Sequence, residues 1–363
     1  MSRRIGWRLA VEPLGRSFAW SLFANRGDGA VSLEDAGTVP VANGLQDLVA
    51  EAVGADATSG VLVRRETEQR WSRELAETAL PAVLRARLMD RTARHTLSIS
   101  ARGWLARVPW AAFQLPDGRR LIEAARVLGT LAPGVVATRH RPAARFSGVP
   151  GLATIDPGPL VGAVGPIYPG GLPGMLMAQE GLPPDDVLVL GPTSPDEVGE
   201  QLRFDEWSRW LYVGHLAGGT DETPGAASLV LAQGDSAARL SARSWLADPD
   251  RWPAPARVGL IGCQGDDSGF AEQAGLVTAC INAGAQLVTT TLWPLPTDES
   301  LGNEALSRLA LAVLRAHQSP EPVDHLRRWQ LDRLDAWRRD GHPADSPLMW
   351  ASLTTIVAEA NGD

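Results

Sequence analysis

The sequence predicts an α/β fold, a mostly parallel sheet flanked by helices, preceded by a β-rich N-terminal accessory region. From Gly151 onwards, short apolar runs alternate with amphipathic segments, as strands and helices do around a parallel sheet. Two of the runs, Leu211–Gly214 and Val258–Gly262, have the continuous apolar character of strands buried on both faces. Each is followed by one reactive side chain, His215 and Cys263. Ligands of open α/β sheets bind at the carboxyl ends of such strands, so we expect a functional edge there.

Length and composition limit the class of protein. A chain of 363 residues can hold one large α/β domain with an appendage, or two domains. The formal net charge of −8 disfavours a nucleic-acid platform, which is normally basic. The chain has no lysine, which excludes a Schiff-base lysine and a P-loop lysine. We therefore expect no direct nucleic-acid partner.

Targeting and cysteine patterns indicate a cytoplasmic protein. No run of about 20 apolar residues occurs, so we expect no membrane span. The first residues lack the apolar segment of a signal peptide. The two cysteines, Cys263 and Cys280, allow at most one disulfide and no metal cluster, and we expect no cofactor. Cys280 lies in a helical apolar stripe and is expected to be a core residue.

The N-terminal region, residues 1–78, is expected to be rich in β-structure. Its alternating apolar residues and turn residues predict strands, and apolar helical spacing with a break at Pro81 follows. The predicted elements are strands at 7–11, 17–23, 30–33 and 60–63, a turn at 26–29, helices at 44–57 and 66–91, a strand from Thr96, and an Asp-Gly turn at 117–118.

The rest of the chain predicts a strand–helix alternation with one hairpin insertion. Ser194, Pro195 and the acids after them have the pattern of a capped helix start. Two long loops, 157–184 and 216–228, are of the length that usually carries function. The predicted strands are 152–156, 187–190, 211–215, 258–263, 286–293 and 350–357; the hairpin is 229–231 with 238–243; the helices start at 194 and 245 and span 271–283, 298–317 and 321–339.

His215 precedes Cys263 by 48 residues, close to the spacing of about 50 seen in caspases. Around this pair, short segments resemble, in order, those of the CHAT domain, a bacterial branch of the caspase- and separase-like cysteine peptidases. The resemblance covers roughly residues 80–358. The segments are Leu105–Phe113 with Arg119–Glu123, Val187–Ser194, Val213–His215, Ser228–Arg243, Leu260–Cys263, Ala283–Ser300 and Pro347–Leu353.

The resemblance implies a caspase-like fold and a domain at 79–363 with its catalytic core at about 150–358. It implies that Cys263 is the nucleophile and His215 the general acid and base, with the backbone N–H groups of Leu216 and Cys263 in the oxyanion hole. Acids near the active edge select basic side chains in related peptidases.

Three acids are the corresponding candidates for substrate binding. Asp156 ends the first strand of the alternation, and Asp266 and Asp267 closely follow the cysteine. We expect them near the S1 pocket, although Asp-Pro and Asp-Asp-Ser are also ordinary loop sequences.

Two departures from the family pattern lie beside the catalytic pair. Leu216 stands where the family often has Gly, and Gly262 precedes the cysteine where Ala is commoner. Neither departure removes a catalytic group. We expect the bulk of Leu216 to alter the approach of a substrate.

Three functions remain open from the sequence. The first is a regulated Cys–His endopeptidase that cleaves a protein substrate and answers to an activating protein partner, in a bacterial defence or cell-death pathway. The second is a catalytically silent caspase-like adaptor that binds partners through its N-terminal region. The third, an unrelated α/β hydrolase or ligand binder, is disfavoured because no Gly-x-Ser-x-Gly or Gly-x-Gly-x-x-Gly motif occurs.

Several other residues are given structural roles. Trp293 and Trp350 are expected in the core, and the arginines at 327–328 and 338–339 on a solvated helix face. The remaining histidines are expected to be solvated; they are His95, His140, His317, His325 and His342.

Overall fold

The computed structural model describes residues 4–25, 31–40, 60–148, 150–158, 167, 186–204, 206–218, 225–263, 274–302 and 304–358. These residues form two compact units. The first comprises the described residues of Met1–Thr130 and Arg327–Thr354, and the second those of Leu131–Leu326 and Thr355–Asn361. The sequence analysis placed a domain boundary at residue 78, between the accessory region and the family-like domain. The two compact units do not test that boundary, which stays a prediction.

The elements alternate as the sequence predicts. The described strands are β1 (Arg4–Leu14), β2 (Ser17–Asn25), β3 (Val31–Pro40), β4 (Arg94–Ala101), β5 (Ala125–Gly129), β6 (Gly151–Ile155), β7 (Val187–Leu190), β8 (Arg209–Ala217), β9 (Ser228–Gln233), β10 (Ser236–Ser241), β11 (Arg257–Cys263), β12 (Leu287–Thr291) and β13 (Leu353–Val357). The described α-helices are α1 (Arg65–Ala79), α2 (Ala82–Leu88), α3 (Leu121–Ala124), α4 (Pro133–Ala137), α5 (Pro195–Phe204), α6 (Ala242–Ala247), α7 (Ala274–Asn282), α8 (Asp298–Leu301), α9 (Ala305–Gln318), α10 (Pro322–Asp340) and α11 (Pro347–Trp350).

The first unit contains a mixed sheet, which confirms a β-rich N-terminal region. β2 pairs antiparallel with β1 and with β3. β1 pairs parallel with β4, and β4 with β5. The expected turn at 26–29 and helix at 44–57 lie outside the described residues. The predicted strand at 60–63 is wrong: Val61–Val63 form a 3₁₀ turn, because helix α1 begins two residues later and Thr67 donates a hydrogen bond to the Val61 carbonyl.

A buried ion pair joins α1 to the segment before α3. The Arg120 guanidinium donates to the Glu68 carboxylate at 2.7 Å, and the two side chains are 3% and 0% exposed. Arg120 also donates to the Ala112 carbonyl at 2.9 Å and to the Ser72 hydroxyl. Burial raises the pKa of Glu68 and lowers that of Arg120, against their mutual attraction. The pair therefore holds α1 against the segment before α3, and removing both charges from water opposes this stabilisation.

Arginines on α10 also bind α3 and the residues around it. Arg327 donates to the Ile122 carbonyl at 2.9 Å, and Arg338 donates to both Glu123 oxygens at 2.8 and 2.7 Å. The expectation that this arginine cluster is a solvated face is therefore wrong for Arg327, which is half-buried, whereas Arg338 is exposed as expected while it binds Glu123. Planar guanidinium groups favour such bidentate contacts, which helical spacing alone does not reveal.

The second unit is built on a parallel sheet. β6 pairs with β7 and with β8, β8 with β11, and β11 with β12, all parallel. β9 pairs antiparallel with β10 and with the carboxyl end of β8, which confirms the hairpin insertion. At the start of α5, the Ser194 N–H donates to Glu197 and the Glu197 N–H to the Ser194 hydroxyl, a reciprocal cap.

Burial within the two units confirms that Cys280, Trp293 and Trp350 are core residues. Cys280 on α7 is fully buried in the cluster that contains Trp210, Tyr212 and Trp245. Burial raises the pKa of its thiol, so the thiol stays protonated. Trp293 is fully buried in this unit, and Trp350 is fully buried in the first unit.

Two predicted C-terminal elements differ in their bounds. The helix predicted at 298–317 is divided into α8 and α9, because Gly302 has φ of 75° and the Asp298 carboxylate accepts the Leu306 N–H at 2.7 Å. The strand predicted at 350–357 begins only at Leu353, because Pro347 starts the helical turn α11. Among the described residues, no helix combines the length and the apolar character that crossing a membrane requires.

Two histidines expected to be solvated are buried. His95 is 5% exposed and accepts the Trp7 indole N–H at 3.2 Å. His317, at the end of α9, is 2% exposed and shares a hydrogen bond of 2.8 Å with the Thr289 hydroxyl on β12. Burial and the positive charges of Arg257 and Arg209 lower the pKa of His317 to about 3. This histidine is therefore neutral and structural.

We expect single and paired substitutions at the buried ion pair to differ. Glu68→Ala leaves Arg120 buried without its hydrogen-bonded counter-charge and should lower the free energy of unfolding by about 3–5 kcal/mol. The double variant Glu68→Leu/Arg120→Met removes both charges and should lose less. Urea unfolding of the wild type, both single variants and the double variant measures this. If the loss of unfolding free energy in the double variant equalled the sum of the two single losses, Glu68 and Arg120 would not be energetically coupled, which would contradict this explanation.

We expect His317→Gln to reduce the loss of stability on acidification. Between the ordinary histidine pKa of 6.5 and about 3, the unfolded chain binds a proton that the folded chain does not. The wild type should therefore lose up to about 1.4 kcal/mol per pH unit more than the variant as pH falls below 6.5. Urea unfolding at pH 7, 6 and 5 measures the difference. Parallel pH profiles would show that His317 titrates normally in the folded protein.

Candidate active site

Three neighbouring parallel strands bring Asp156, His215 and Cys263 to one edge of the sheet. Asp156 directly follows β6, His215 lies near the end of β8, and Cys263 ends β11. The β8–β11 register pairs His215 directly with Cys263. Neighbouring strands lie about 4.8 Å apart, so the two backbones are adjacent at this point. The expectation that these strands are parallel neighbours is confirmed.

Asp156 has an uncommon backbone conformation. Its φ is 47°, in the left-handed region that Asp tolerates better than most residues. Its N–H donates to the Val213 carbonyl on β8 at 2.7 Å, and the residue is half-buried. Such conformations cluster at functional sites, where surrounding structure holds them. The chain thus turns sharply at the edge that carries the other two residues.

The His215 side chain is 8% exposed, and its backbone is held on both sides. On one side lies the ladder to β11. On the other, the Tyr212 hydroxyl donates to the His215 carbonyl at 2.7 Å and lies 2.9 Å from the Val230 carbonyl on β9. Sequence reasoning gave Tyr212 no role.

Gly214 makes room for the Tyr212 ring. A Cβ atom at position 214 would lie 2.4 Å from the tyrosine oxygen and 2.5 Å from the adjoining ring carbon. A glycine inside an apolar strand indicates such a close approach, so Gly214 was the available signal for the role of Tyr212.

The two departures from the family pattern fit each other in space. A Cβ atom at Gly262 would lie 2.7 Å from the Leu216 Cδ1 atom. Leu216 is 5% exposed and belongs to the core cluster that contains Tyr212 and Leu260. Its bulk is therefore accommodated inside the core, in the space that Gly262 leaves, on the face of β8 that carries Tyr212.

Backbone contacts fix the end of β11. The Gly262 N–H donates to the Thr291 hydroxyl at 3.1 Å, and the Leu295 N–H donates to the Gly262 carbonyl at 2.9 Å. Thr291 and Leu295 are fully buried and belong to the segment Ala283–Ser300. This segment thus holds the residue before Cys263, a role that sequence pattern alone did not assign.

A polar cavity of about 670 Å³ lies beyond the end of β7. Thr193, Ser194, Glu197 and Arg239 are among the residues that line it. The Thr193 N–H donates to the carbonyl of Pro157, the residue after Asp156, at 3.3 Å. One residue that lines the cavity is therefore hydrogen-bonded to the residue after Asp156, although neither Asp156 nor Pro157 lines the cavity itself.

Two further acids were expected at the site. Asp266 and Asp267 lie outside the described residues. Within the ranges that the structure describes, no group of three or more His, Cys, Asp or Glu side chains is arranged to hold a metal ion.

Comparison with solved structures identifies the fold. A chain in the crystal structure of the Saccharomyces cerevisiae separase–securin complex matches with a TM-score of 0.50 and 8% identity. The match covers 98% of this chain and 30% of that chain, so this chain spans under a third of its length. At this identity the likeness shows the fold alone, which is a caspase-like, mostly parallel sheet flanked by helices.

Two Aquifex aeolicus structures described as PPX/GPPA enzymes also match. One has a TM-score of 0.12 and 9% identity over 72% of this chain and 68% of that chain. The other has a TM-score of 0.16 and 8% identity over 97% and 94%. No curated protein matches the sequence.

Comparison with sequence families covers most of the chain. The model of the CHAT domain matches residues 69–358, well over half of the 363 residues. The matched range contains both His215 and Cys263 and all of the segments that resemble the family. It also agrees with the separase-like fold. The chain therefore belongs to the CHAT domain family, whose members are caspase-like cysteine peptidases.

Proposed function

We propose that the chain is a Cys–His endopeptidase that cleaves a protein substrate. The observation that carries this proposal is the parallel register of His215 and Cys263 at the carboxyl edge of neighbouring strands. That edge is where open α/β sheets bind ligands. A thiol and an imidazole held there by the fold make a nucleophile and a general acid/base.

In the proposed mechanism, the Cys263 thiolate attacks the carbonyl carbon of the scissile peptide bond. His215 takes the thiol proton and then gives it to the amine nitrogen as the carbon–nitrogen bond breaks. The product is a thioester on Cys263 and a free amine. Water then hydrolyses the thioester, which releases the carboxylic acid and restores the thiol.

The backbone N–H groups of Cys263 and Leu216 are the proposed oxyanion donors; both face the β8–β11 ladder, so this role requires the substrate to replace their ladder acceptors. A donor of this kind contributes about 3–4 kcal/mol to transition-state stabilisation. Any residue except proline supplies the N–H, so leucine at position 216 is compatible with this role. Burial of the Leu216 side chain against Gly262 keeps that side chain within the core.

Asp156, Asp266 and Asp267 are the proposed substrate-binding acids. Asp156 is supported by its position at the end of β6 and by its half-buried, left-handed conformation. A carboxylate there would pair with a basic P1 side chain, most favourably with the planar guanidinium of arginine. The polar cavity beside Thr193 offers room for a further part of an extended substrate.

We further propose that a partner protein controls the activity. A cytoplasmic peptidase that was active without control would damage its own cell. The similar separase chain was solved in complex with securin, which is a precedent for a protein partner. For this chain we propose an activating partner that engages the N-terminal region, and a place in a bacterial defence or cell-death pathway.

We expect Cys263→Ala to abolish cleavage without unfolding the protein. Cys263 ends its strand, so its truncation should change the thermal midpoint little. Cys280→Ala is the matched control, because it removes the same group from the buried core. It should retain activity and lose about 1 kcal/mol of stability. Cleavage assays and thermal unfolding of the two variants measure both effects.

The alternative of a silent adaptor gives the opposite result. In that case Cys263→Ala would leave every partner-dependent output unchanged. An alkylating reagent that labels Cys280 faster than Cys263 in the folded protein would also contradict the assignment, because Cys280 is fully buried with a raised thiol pKa.

We expect a preference for arginine at P1. If Asp156 lines the pocket, an arginine substrate should exceed a neutral one by on the order of 10²-fold in kcat/KM. Asp156→Asn should reduce this ratio while leaving cleavage of neutral substrates similar. A fluorogenic peptide library, tested with and without candidate partner proteins, measures the preference. Preference for Asp or a large apolar P1 residue would reject the pocket assignment but not the Cys–His pair.

A further inference from the structure

The Tyr212 hydroxyl lies where the β8–β9 ladder stops. The last ladder pairs are Ala217 with Ser228 and Leu216 with Leu229. One further step of the same register would place His215 opposite Val230. There, the Tyr212 hydroxyl lies between the two carbonyl oxygens, at 2.7 Å from that of His215 and 2.9 Å from that of Val230. A buried hydroxyl thus replaces a ladder pair beside the candidate histidine.

The Tyr212 side chain has little freedom to leave this position. It is fully buried, and its ring occupies the space above Gly214 where a Cβ atom would collide with it. Protein interiors are close-packed, so a ring enclosed in this way keeps its hydroxyl in one place. The hydroxyl therefore acts as a fixed donor to the main chain of β8.

The orientation of the His215 carbonyl also sets the direction of the Leu216 N–H. Backbone groups in a strand alternate in direction from residue to residue. The Val213 carbonyl accepts from Asp156 after β6, so the His215 carbonyl, two residues on, points to the same side. The Leu216 N–H belongs to the same planar trans peptide and points the other way, towards β11, where the ladder pair of His215 with Cys263 gives it the Cys263 carbonyl as its acceptor. That strand carries Cys263.

We propose that Tyr212 is a positioning residue that holds the His215–Leu216 peptide in the orientation required for catalysis. The proposal rests on the proposed function, because it takes the pairing of His215 with Cys263 as the catalytic geometry. The tyrosine hydroxyl fixes the carbonyl on one side of the peptide plane, which fixes the N–H on the other. Tyr212 itself contacts neither the substrate nor the reacting atoms.

The test uses Tyr212→Phe, which removes the hydroxyl and keeps the ring above Gly214. Thr154→Val is the matched control. Thr154 is fully buried on β6 and its hydroxyl accepts the Trp210 indole N–H at 3.0 Å, so this variant also loses one buried hydroxyl bond. Three quantities are measured: kcat and KM for a cleaved peptide, the rate of Cys263 alkylation by iodoacetamide, and amide hydrogen exchange at residues 215–217.

We expect Tyr212→Phe to lower kcat at least tenfold with KM within about threefold, since displacing His215 from its position opposite Cys263 by about 1 Å can cost on the order of 10²-fold. Alkylation of Cys263 needs no proton transfer to a leaving amine and should stay within about twofold of the wild-type rate. Exchange at residues 215–217 should accelerate at least tenfold relative to the rest of β8. Thr154→Val should leave kcat and this exchange unchanged.

The possible failures are distinguishable. Unchanged kcat and exchange in Tyr212→Phe would overturn the positioning role while the peptidase assignment stands. Equal losses in kcat and in alkylation rate would show a general structural effect and also overturn it. If the wild type cleaves no peptide, the proposed function fails, and the exchange at residues 215–217 still decides whether the hydroxyl holds this peptide.

Discussion

The hydrogen-bonded register between β8 and β11 is the constraint on which the candidate site depends. It pairs His215 with Cys263 at the last position of the ladder. A slip of one residue would move one partner to the opposite face of the sheet, because side chains alternate along a strand. The buried character of all nine residues of β8 opposes such a slip, since every one of them would have to repack. The core thus determines which residues meet at the edge.

Two large side chains pack closely against two glycines beside that edge. Tyr212 fills the space above Gly214, and Leu216 fills the space above Gly262. These contacts place bulk on one face of the strands immediately beside the paired residues. Leu216 and Gly262 both differ from the commoner family residues, and each accommodates the other. Residues that look like independent departures in the sequence are therefore one packing unit in the structure, and they leave the backbone register intact.

Much of the fold, and the placement of His215 and Cys263 on neighbouring parallel strands, was predictable from sequence. Apolar runs that end at a reactive residue identified β8 and β11, because a strand buried on both faces needs a continuous apolar sequence. Contacts made across the sequence were not predictable. The bonds of Tyr212 to two carbonyls, of Thr291 to Gly262, and the burial of His317 depend on which elements are neighbours. Local pattern contains no information about those partners, as the wrong strand at 60–63 also shows.

The pH dependence of Cys263 alkylation tests the central claim most directly. If His215 and Cys263 form a functional pair, the imidazolium favours the thiolate, and the apparent thiol pKa should lie below the value of about 8.5 for free cysteine. His215→Ala should move it back towards that value, while alkylation of denatured protein stays the same in both. The account predicts this shift. Identical alkylation profiles for the wild type and His215→Ala would contradict it, because the two residues would then not interact.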